Sequence, residues 1–221
     1  MVFGAPLQHR LAKSLLVGNR DMQLLLATSN EHKLVEVGEI LTPHGIEVVG
    51  ISSLDGVYDE PLEDSNTFAG NARLKAIGYA RATGKRCMAD DSGLAVDALD
   101  GKPGVHSARF AGVGSNREER DSANNALLLS QLQHTPESER TARFVCAICV
   151  ADPNGTIVGE SEGIFEGVIT LEPKGTNGFG YDPLLFVPDA QKTSAEMTSE
   201  EKNARSHRGE AVRNIISCFE L

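Results

Sequence analysis

Ala89-Asp90-Asp91-Ser92-Gly93-Leu94-Ala95-Val96-Asp97 places two adjacent carboxylates and a Ser-Gly pair between apolar residues. The short apolar runs on both sides predict a buried strand, and the Ser-Gly pair predicts that this strand ends in a turn. Because ionised neighbours repel each other, burying both carboxylates is costly unless a cation or hydrogen-bond donors compensate their charge. The stretch therefore predicts acidic groups that face the opening of a site, with a metal cation as their partner.

Only one of the two carboxylates is expected to face that site, because successive side chains of a strand point to opposite faces. Asp91, which lies closer to the glycine, is the predicted one. Capping of a turn would account for a single aspartate. It does not account for two in a row, and we therefore predict that this stretch carries the chemistry.

The composition indicates a globular protein with one substantial core, since 40% of the 221 residues are hydrophobic. Residues 22–221 are expected to form a single domain with two lobes, and residues 1–21 a peripheral N-terminal extension without a motif. No apolar run approaches the roughly 20 residues that span a bilayer. The N-terminus also lacks the pattern of a signal peptide, so a cytoplasmic protein is expected.

Charge and cysteine content narrow the function further. A net charge of −10 disfavours a protein that holds a polynucleotide by neutralising many phosphates. Four cysteines are too few and too scattered for a disulfide framework, so free thiols are expected. Cys146 and Cys149 fall in a predicted strand, where residues three apart lie on opposite faces, and both are interpreted as packing residues.

The first predicted strand, Met22 to Ala27, leads into the polar turn Thr28-Ser29-Asn30-Glu31-His32-Lys33 and then into an amphipathic helix. A helix N-terminus offers unpaired N–H groups and the positive end of the helix dipole. With a lysine one turn in, this segment could form a phosphate cradle. Ordinary N-capping by Ser29 or Asn30, with Lys33 in solvent, explains the same residues.

A second strand, Ile46 to Ile51, precedes the acidic patch Asp59-Glu60-Pro61-Leu62-Glu63-Asp64. A helix that carries Phe68, Ala72, Ala76 and Ala80 follows and ends at Gly84. Acidic loops are usually solvated. Because this helix leads directly into the Asp90-Asp91 strand, the patch could instead fold back and supply a second metal carboxylate. Mg²⁺ takes one or two protein carboxylates and fills its shell with water and phosphate oxygens.

The middle of the chain predicts three further elements. Residues 103–110 predict a turn that leads into a short strand, and Ser115 with Glu118 predicts a capping box at the start of a helix. Residues 140–151 and 156–165 predict a hairpin around the turn Asp152-Pro153-Asn154-Gly155.

Gly175-Thr176-Asn177-Gly178-Phe179-Gly180-Tyr181-Asp182-Pro183 combines three closely spaced glycines with two aromatic residues and an acid. Such a loop suits stacking on a flat ring and hydrogen bonding to its edge. A glycine-rich connection whose aromatic residues cover the core fits the pattern equally well.

Near the C-terminus, Thr198 and Glu201 predict a capped helix that carries Lys202, and Ser206-His207-Arg208-Gly209 separates it from a last amphipathic helix. Cations at a helix start are unfavourable for the dipole. His207 and Arg208 therefore either bind a ligand or are exposed basic residues without a specific role.

Taken together and in this order, these motifs resemble the inosine and xanthosine triphosphate pyrophosphatases, a family that clears non-standard purine nucleotides. The matching segments cover nearly all of residues 22–221. The resemblance implies an elongated α/β fold, a mixed sheet with helices packed around it in two lobes and the active site in the central cleft. It also implies a homodimer, Mg²⁺, and hydrolysis of the triphosphate to monophosphate and pyrophosphate.

The resemblance also assigns roles to individual residues. It implies that Asp91 and Glu63 are metal ligands and that Asp91 is the catalytic base, which orients a metal-activated water for attack on the α-phosphorus. The implied substrate contacts are Thr28, Ser29, Asn30, Lys33, Ser92 and Lys202 around the triphosphate, and Phe179, Gly180, Tyr181, Asp182, His207 and Arg208 around the base.

Two positions depart from the family pattern. Ser29 stands where glycine is usual, and Gly70 stands where glutamate is common. Two alternatives of other kinds remain: a module that binds nucleotides without cleaving them, and a Maf-like pyrophosphatase acting on pyrimidine nucleotides. The carboxylates Glu63 and Asp91 argue against the first, because binding an anion gains nothing from them without a metal. The motifs at Phe179 to Asp182 and at His207-Arg208 favour purine over pyrimidine nucleotides.

Overall fold

The computed structural model describes residues 22–219, so the predicted N-terminal extension lies outside the described residues. The strands are β1 (Met22–Leu26), β2 (Ile46–Gly50), β3 (Cys87–Val96), β4 (Thr141–Ala151), β5 (Ile157–Ile169), β6 (Leu185–Val187) and β7 (Lys192–Thr193). The helices are α1 (Glu31–Leu41), α2 (Phe68–Thr83), α3 (Arg117–Gln131), α4 (Ser199–Arg205) and α5 (His207–Ile215).

All seven strands belong to one sheet in the order β2-β1-β3-β4-β5-β6-β7. β1 is parallel to both β2 and β3, and every pairing from β3 to β7 is antiparallel. The mixed α/β sheet is therefore confirmed. The predicted hairpin is confirmed as β4 and β5, although β5 continues to Ile169, four residues beyond Phe165.

The inner strands are buried on both faces because helices cover both sides of the sheet. Leu24 and Leu26 face α1 and α5, whereas Leu25, between them, faces α2. Cys146 and Cys149 divide in the same way between these two clusters, which confirms them as packing residues on opposite faces. A third cluster packs α3 and Tyr181 against the distal ends of β3, β4 and β5.

The prediction that β3 ends in a turn at Ser92-Gly93 is wrong. The strand continues to Val96 and pairs with β4 along its whole length. Gly93 lies against a neighbouring segment, since a Cβ there would be 2.4 Å from Ser107 Oγ and 2.6 Å from the Gly104 carbonyl oxygen. The glycine therefore serves a close contact, and Ser107 Oγ accepts a hydrogen bond from Leu94 N.

Two smaller predictions also fail. Residues Gly104–Arg109 form 3-10 turns where a short strand was expected, stabilised by a hydrogen bond from Ser107 Oγ to the Gly104 carbonyl. The N-cap of α3 is Asn116, one residue after Ser115. Its side chain accepts from Glu119 N, while the Glu119 carboxylate accepts from Ser115 N, so the capping partners are shifted by one position.

Other helix boundaries follow the sequence closely. α2 ends at Gly84, whose φ of 67° is left-handed, and α4 begins with the predicted capping box of Thr198 and Glu201. The last helix buries Ala211, Val212 and Ile215 of the predicted apolar stripe, whereas Ile216 and Phe219, also expected in it, follow the helix in a 3-10 turn and are half-buried. Among residues 22–219 we find no helix with the length and apolarity needed to cross a membrane.

Candidate active site

β3 runs between two groups of charged side chains, one on each face of the sheet. Asp90 and Asp91 are both buried, at 2% and 9% exposure. Asp90 points toward α1 and α5, where its Oδ2 is 2.8 Å from Lys33 Nζ and 3.4 Å from Arg208 Nη2. Asp91 points toward α2. The expectation that the two carboxylates face opposite ways is confirmed, but each of them faces a charged partner.

On the Asp90 side the charged groups form a connected network of ion pairs. Arg208 is 1% exposed, and its guanidinium also pairs with Glu36 and donates to Ser92 Oγ at 3.1 Å. Burial alone would raise the pKa of Asp90, but Lys33, Arg208 and Lys75 outweigh it and hold the pKa well below its usual range. Asp90 therefore stays ionised.

The Asp91 side has fewer cations. Lys75 Nζ lies 3.1 Å from Asp91 Oδ1 and 3.3 Å from Glu63 Oε1, so one ammonium group holds two carboxylates. Asn71 Nδ2 donates to Asp91 Oδ2 at 3.2 Å. Burial would lower the pKa of Lys75, but Asp91, Asp90 and Glu63 together raise it above its ordinary value. The predicted approach of Glu63 to Asp91 is thus observed, with a lysine between them.

The Thr28–Lys33 turn lies at the N-terminus of α1. Asn30 is the N-cap and accepts from His32 N, while Thr28 Oγ1 accepts from Asn30 N at 3.1 Å. Ser29 is exposed between them. Lys33 is not in solvent, because it is ion-paired with Asp90. The capping role of Asn30 is therefore confirmed, and Lys33 belongs to the charged network.

The glycine-rich loop is held by Asp182, which is 2% exposed. Its Oδ2 accepts from Phe179 N at 2.8 Å and from Lys202 Nζ at 2.7 Å, and its Oδ1 accepts from Ser194 Oγ. Gly178 has a φ of 75° and leaves no room for a Cβ beside the Asp182 carboxylate. The structure places Asp182 beneath the loop, as an anchor for Phe179 and Lys202.

The two aromatic residues of the loop lie in different places. Tyr181 is buried in the third core cluster, and its hydroxyl donates to the Ser107 carbonyl oxygen at 2.9 Å. Phe179 is half-buried and its ring meets cations from three helices. The distances to its centroid are 4.4 Å from Arg117 Cζ, 5.1 Å from Lys202 Nζ and 5.8 Å from Arg208 Cζ. Phe179 therefore supplies the half-buried aromatic surface of the loop.

His207 is buried at 6% exposure, and its ring stacks on Phe144 with centroids 5.0 Å apart. Burial, together with the charges of Arg208 and Lys202, holds its pKa well below the usual value. Its Nδ1 atom is buried without a hydrogen-bond partner. His207 and Arg208 are therefore not exposed basic residues, and the neutral imidazole retains a free hydrogen-bonding atom.

A cleft of about 300 Å³ lies between the start of α1, the glycine-rich loop and α4. Its walls include His32, Glu36, Asn177, Phe179 and Lys202. A cavity of this size is at the lower end of the range for small-molecule sites. Of the predicted substrate contacts, Phe179 and Lys202 lie on these walls, whereas the predicted residues of the Thr28–Lys33 turn do not.

Sequence reasoning missed three charged or polar residues of this arrangement. Asn71 and Lys75 reach Asp91 from α2, and Glu36 pairs with both Arg208 and Lys202. Spacing could have found them, because Asn71 and Lys75 are four residues apart on one helix face and Glu36 lies one turn after Lys33.

The residues present fit a hard divalent cation on the Asp91 side. Two carboxylates, Asp91 and Glu63, both lie within 3.3 Å of Lys75 Nζ, and oxygen donors are what Mg²⁺ prefers. Within the described residues, no three His, Cys, Asp or Glu side chains form a metal cluster. A cation here would therefore rest on two carboxylates and complete its shell with water and ligand oxygens.

A protein described as "dITP/XTP pyrophosphatase" from Desulforamulus reducens is 53% identical over 88% of this chain and 94% of the relative. One with the same description from an Exiguobacterium species is 50% identical over 88% and 95%.

Solved structures of Ham1 proteins are also similar. The Staphylococcus aureus protein has a TM-score of 0.75 and 38% identity, covering 89% of this chain and 97% of that one. The Coxiella burnetii protein has a TM-score of 0.77 and 37% identity, covering 90% and 98%. Residues 24–218 match the model of the Ham1 family, and the chain therefore belongs to the Ham1 family.

Proposed function

We propose that the protein hydrolyses non-standard purine nucleoside triphosphates, namely ITP, dITP and XTP, to the monophosphate and pyrophosphate. Family membership and the names of its relatives support this. The observation that carries it is the asymmetry around β3. A carboxylate pair with a single lysine lies on one face, and lysines and an arginine lie on the other, beside a cleft with an aromatic wall.

In this proposal Asp91 and Glu63 hold Mg²⁺, which when bound acidifies a coordinated water and offsets the charge of the leaving pyrophosphate. Asp91 orients the attacking water toward the α-phosphorus and accepts its proton at a carboxylate oxygen. Lys75 cannot take that proton at neutral pH, because its neighbouring carboxylates keep it an ammonium group. Its role is to hold Asp91 and Glu63 together.

The negative charge of the triphosphate is assigned to cations of α1 and α4, beside Asp90 and beneath the glycine-rich loop. Lys33 and Lys202 are ion-paired with Asp90 and Asp182. A bound triphosphate would compete with these carboxylates for the two ammonium groups. The ammonium groups would then stabilise its negative charge. Further polar groups lie close to these cations. The turn before Lys33 carries Thr28, Ser29 and Asn30, and the hydroxyl of Ser92 lies next to Asp90.

Base recognition is assigned to the cleft beside Phe179. Its ring offers stacking, which every base shares. Selection needs hydrogen bonds to the base edge, where hypoxanthine and xanthine present a 6-carbonyl and adenine an amino group. Arg208 is the predicted donor, but its guanidinium nitrogens already bind Asp90, Glu36 and Ser92. His207 Nδ1 has no hydrogen-bond partner within residues 22–219, which makes His207 a second candidate for the edge contact.

The homodimer, which the family resemblance implies, and the cytoplasmic location, which the sequence analysis expects, are both proposals. Light scattering coupled to size-exclusion chromatography tests the first, with a mass of about twice the 23.6 kDa chain expected. Fractionation of cells expressing the native-length chain tests the second, with the protein expected in the cytosolic fraction.

Pyrophosphate release across a nucleotide panel with Mg²⁺ tests the activity. We expect turnover of ITP, dITP and XTP, and rates for ATP lower by about 10² or more, since unmatched buried polar groups discriminate strongly. Preference for dTTP or UTP would favour the Maf-like alternative. Tight nucleotide binding without pyrophosphate release would favour the non-catalytic module.

A further inference from the structure

One face of α3 carries three residues, spaced four apart, that all contact the turn at Phe179-Gly180. Arg117 covers the Phe179 ring, with its Cζ 4.4 Å from the centroid. Asp121 Oδ2 accepts from Gly180 N at 2.9 Å, and Asn125 Nδ2 donates to the Gly180 carbonyl oxygen at 3.0 Å. Residues at i, i+4 and i+8 of a helix lie in one row, so a single stripe grips the turn.

Both backbone polar groups of Gly180 are therefore satisfied by α3. Gly180 has a left-handed φ of 61°, and it joins the half-buried Phe179 to the buried Tyr181 and Asp182. A backbone in this conformation with both its N–H and its C=O bound to one helix has little freedom to rotate. The position of the Phe179 ring is thus set from α3 as well as from Asp182.

Unsatisfied polar atoms are concentrated at the same place. Across residues 22–219, three buried side-chain nitrogen or oxygen atoms lack a hydrogen-bond partner: Arg117 Nε, Asn125 Oδ1 and His207 Nδ1. Arg117 and Asn125 belong to the stripe on α3. His207 precedes Arg208, whose Cζ lies 5.8 Å from the centroid of the Phe179 ring. Such atoms are rare in folded proteins and mark places where a further polar partner fits.

Arg117 also differs from the other cations at the ring. Lys202 and Arg208 are held by close carboxylates. Arg117 Nε is 3.6 Å from Asp121 Oδ2, beyond hydrogen-bond distance, and that oxygen already accepts from Gly180. The main close partner of this guanidinium is therefore the aromatic ring.

We propose that Arg117, Asp121 and Asn125 form a clamp on α3 that positions the base-stacking ring, so that α3 controls affinity for the nucleobase and not for the phosphates. The inference rests on the proposed function, since it takes Phe179 as the stacking surface. The three residues are positioning residues that act through Phe179 and Gly180.

The test compares Arg117→Met with Arg120→Met. Both substitutions remove an arginine charge from α3 and keep a long side chain, but Arg120 is exposed and its side chain makes no hydrogen bond or ion pair within the described structure. Two quantities are measured for each variant. One is the Kd for inosine monophosphate, and the other is the Ki of inorganic tripolyphosphate, which has no base, against ITP hydrolysis.

For Arg117→Met we expect the Kd of inosine monophosphate to rise about 3- to 10-fold, the range for losing a cation–π contact, with the tripolyphosphate Ki and kcat unchanged. Arg117→Lys, which retains the cation, should recover most of the affinity. Asn125→Asp, which loses the donor to Gly180, should show the same base-specific loss. Arg120→Met should match the wild type in both measurements.

Two results would overturn the clamp while leaving the proposed function intact. One is wild-type affinity for inosine monophosphate in both Arg117→Met and Asn125→Asp. The other is an equal rise in the tripolyphosphate Ki, which would mean that α3 acts on the whole site. A wild-type protein that neither binds inosine monophosphate nor hydrolyses ITP would remove the proposed function and the clamp together.

Discussion

The two faces of β3 carry the same residue type and solve the problem of a buried carboxylate differently. On the face toward α1 and α5, the carboxylates of Asp90, Glu36 and Asp182 meet the cations of Lys33, Lys202 and Arg208. On the face toward α2, Asp91 and Glu63 share Lys75 alone. One group is balanced, three charges against three, and the other has one negative charge more than it has cations.

This difference in charge balance distinguishes a structural role for Asp90 from the catalytic role proposed for Asp91, which the sequence alone does not do. A balanced buried network is costly to break but gains nothing from a further cation. An unbalanced pair of carboxylates attracts one. We therefore propose that the balanced side holds the framework and offers its cations to an anion, and that the unbalanced side binds Mg²⁺ and accepts the proton.

The largest expected effect is on turnover, from Asp91→Asn. In the proposed mechanism the substitution removes the group that orients and deprotonates water, so kcat for ITP should fall by about 10²–10⁴, the usual contribution of a general base. Stability should change less than in the corresponding Asp90 variant, because Lys75 keeps Glu63 as a partner.

Initial rates of pyrophosphate release measure this effect. Asp97→Asn is the matched control, since Asp97 ends the same stretch but pairs with Arg143 at the surface, and it should retain wild-type turnover. Near-full activity of Asp91→Asn would place the reaction centre elsewhere.

The next effect is on stability, from Asp90→Asn. Three cations would then face two carboxylates in a buried site, and losing one partner of such a network costs about 3–5 kcal/mol. Urea unfolding at pH 7 measures it. Asp97→Asn again serves as the control and should lie within about 1 kcal/mol of the wild type, as exposed pairs do.

The pH dependence of unfolding sharpens the assignment. The pKa of Asp90 is lower in the folded state than its ordinary value of about 4. Its contribution is therefore present above about pH 4 and is lost as the pH falls through the lower folded pKa. Below pH 4 the wild type should lose more stability per pH unit than Asp90→Asn does. Parallel curves for the two proteins would show that Asp90 is not held ionised by its neighbours.

The sequence predicted the sheet and most helix boundaries because hydrophobic periodicity and capping residues act locally. Thr198, Asn30 and Gly84 illustrate this, since each fixes an end through its own side chain or φ angle. It also predicted that Asp90 and Asp91 point apart, which follows from strand geometry alone.

What it did not predict depends on contacts between distant segments. The sequence predicts a turn at Gly93, but the missing Cβ of this glycine makes room for residues 104–107. Lys75 was not singled out because nothing in its own helix shows that a strand places Asp91 opposite it. The two-lobed division of residues 22–221 and the roles of the individual site residues stay predictions.

Gly70, which departs from the family pattern, provides the smallest test of the Asp91 side. It is the third residue of α2, and its N–H donates to Thr67 Oγ1, the N-cap. Glutamate at this position would accept in return from Thr67 N and complete a capping box. Here Ser65 Oγ accepts from Thr67 N instead, at 3.2 Å. The serine hydroxyl thus replaces the missing carboxylate, and the departure concerns helix capping.

The Ser65 side chain and a glutamate at position 70 cannot both accept from Thr67 N, because a Cβ on Gly70 would lie 2.0 Å from Ser65 Oγ and 2.6 Å from Ser65 Cβ. Gly70→Glu alone should therefore destabilise the protein by about 1–3 kcal/mol through overpacking. Adding Ser65→Gly removes the obstructing side chain and lets the capping box form, so the double variant should recover at least about 1 kcal/mol. Thermal or urea unfolding of the four proteins in a double-mutant cycle measures the coupling. Additive effects would mean that Ser65 and Gly70 are independent and that the start of α2, which carries Asn71 and Lys75 to Asp91, is capped by Thr67 alone.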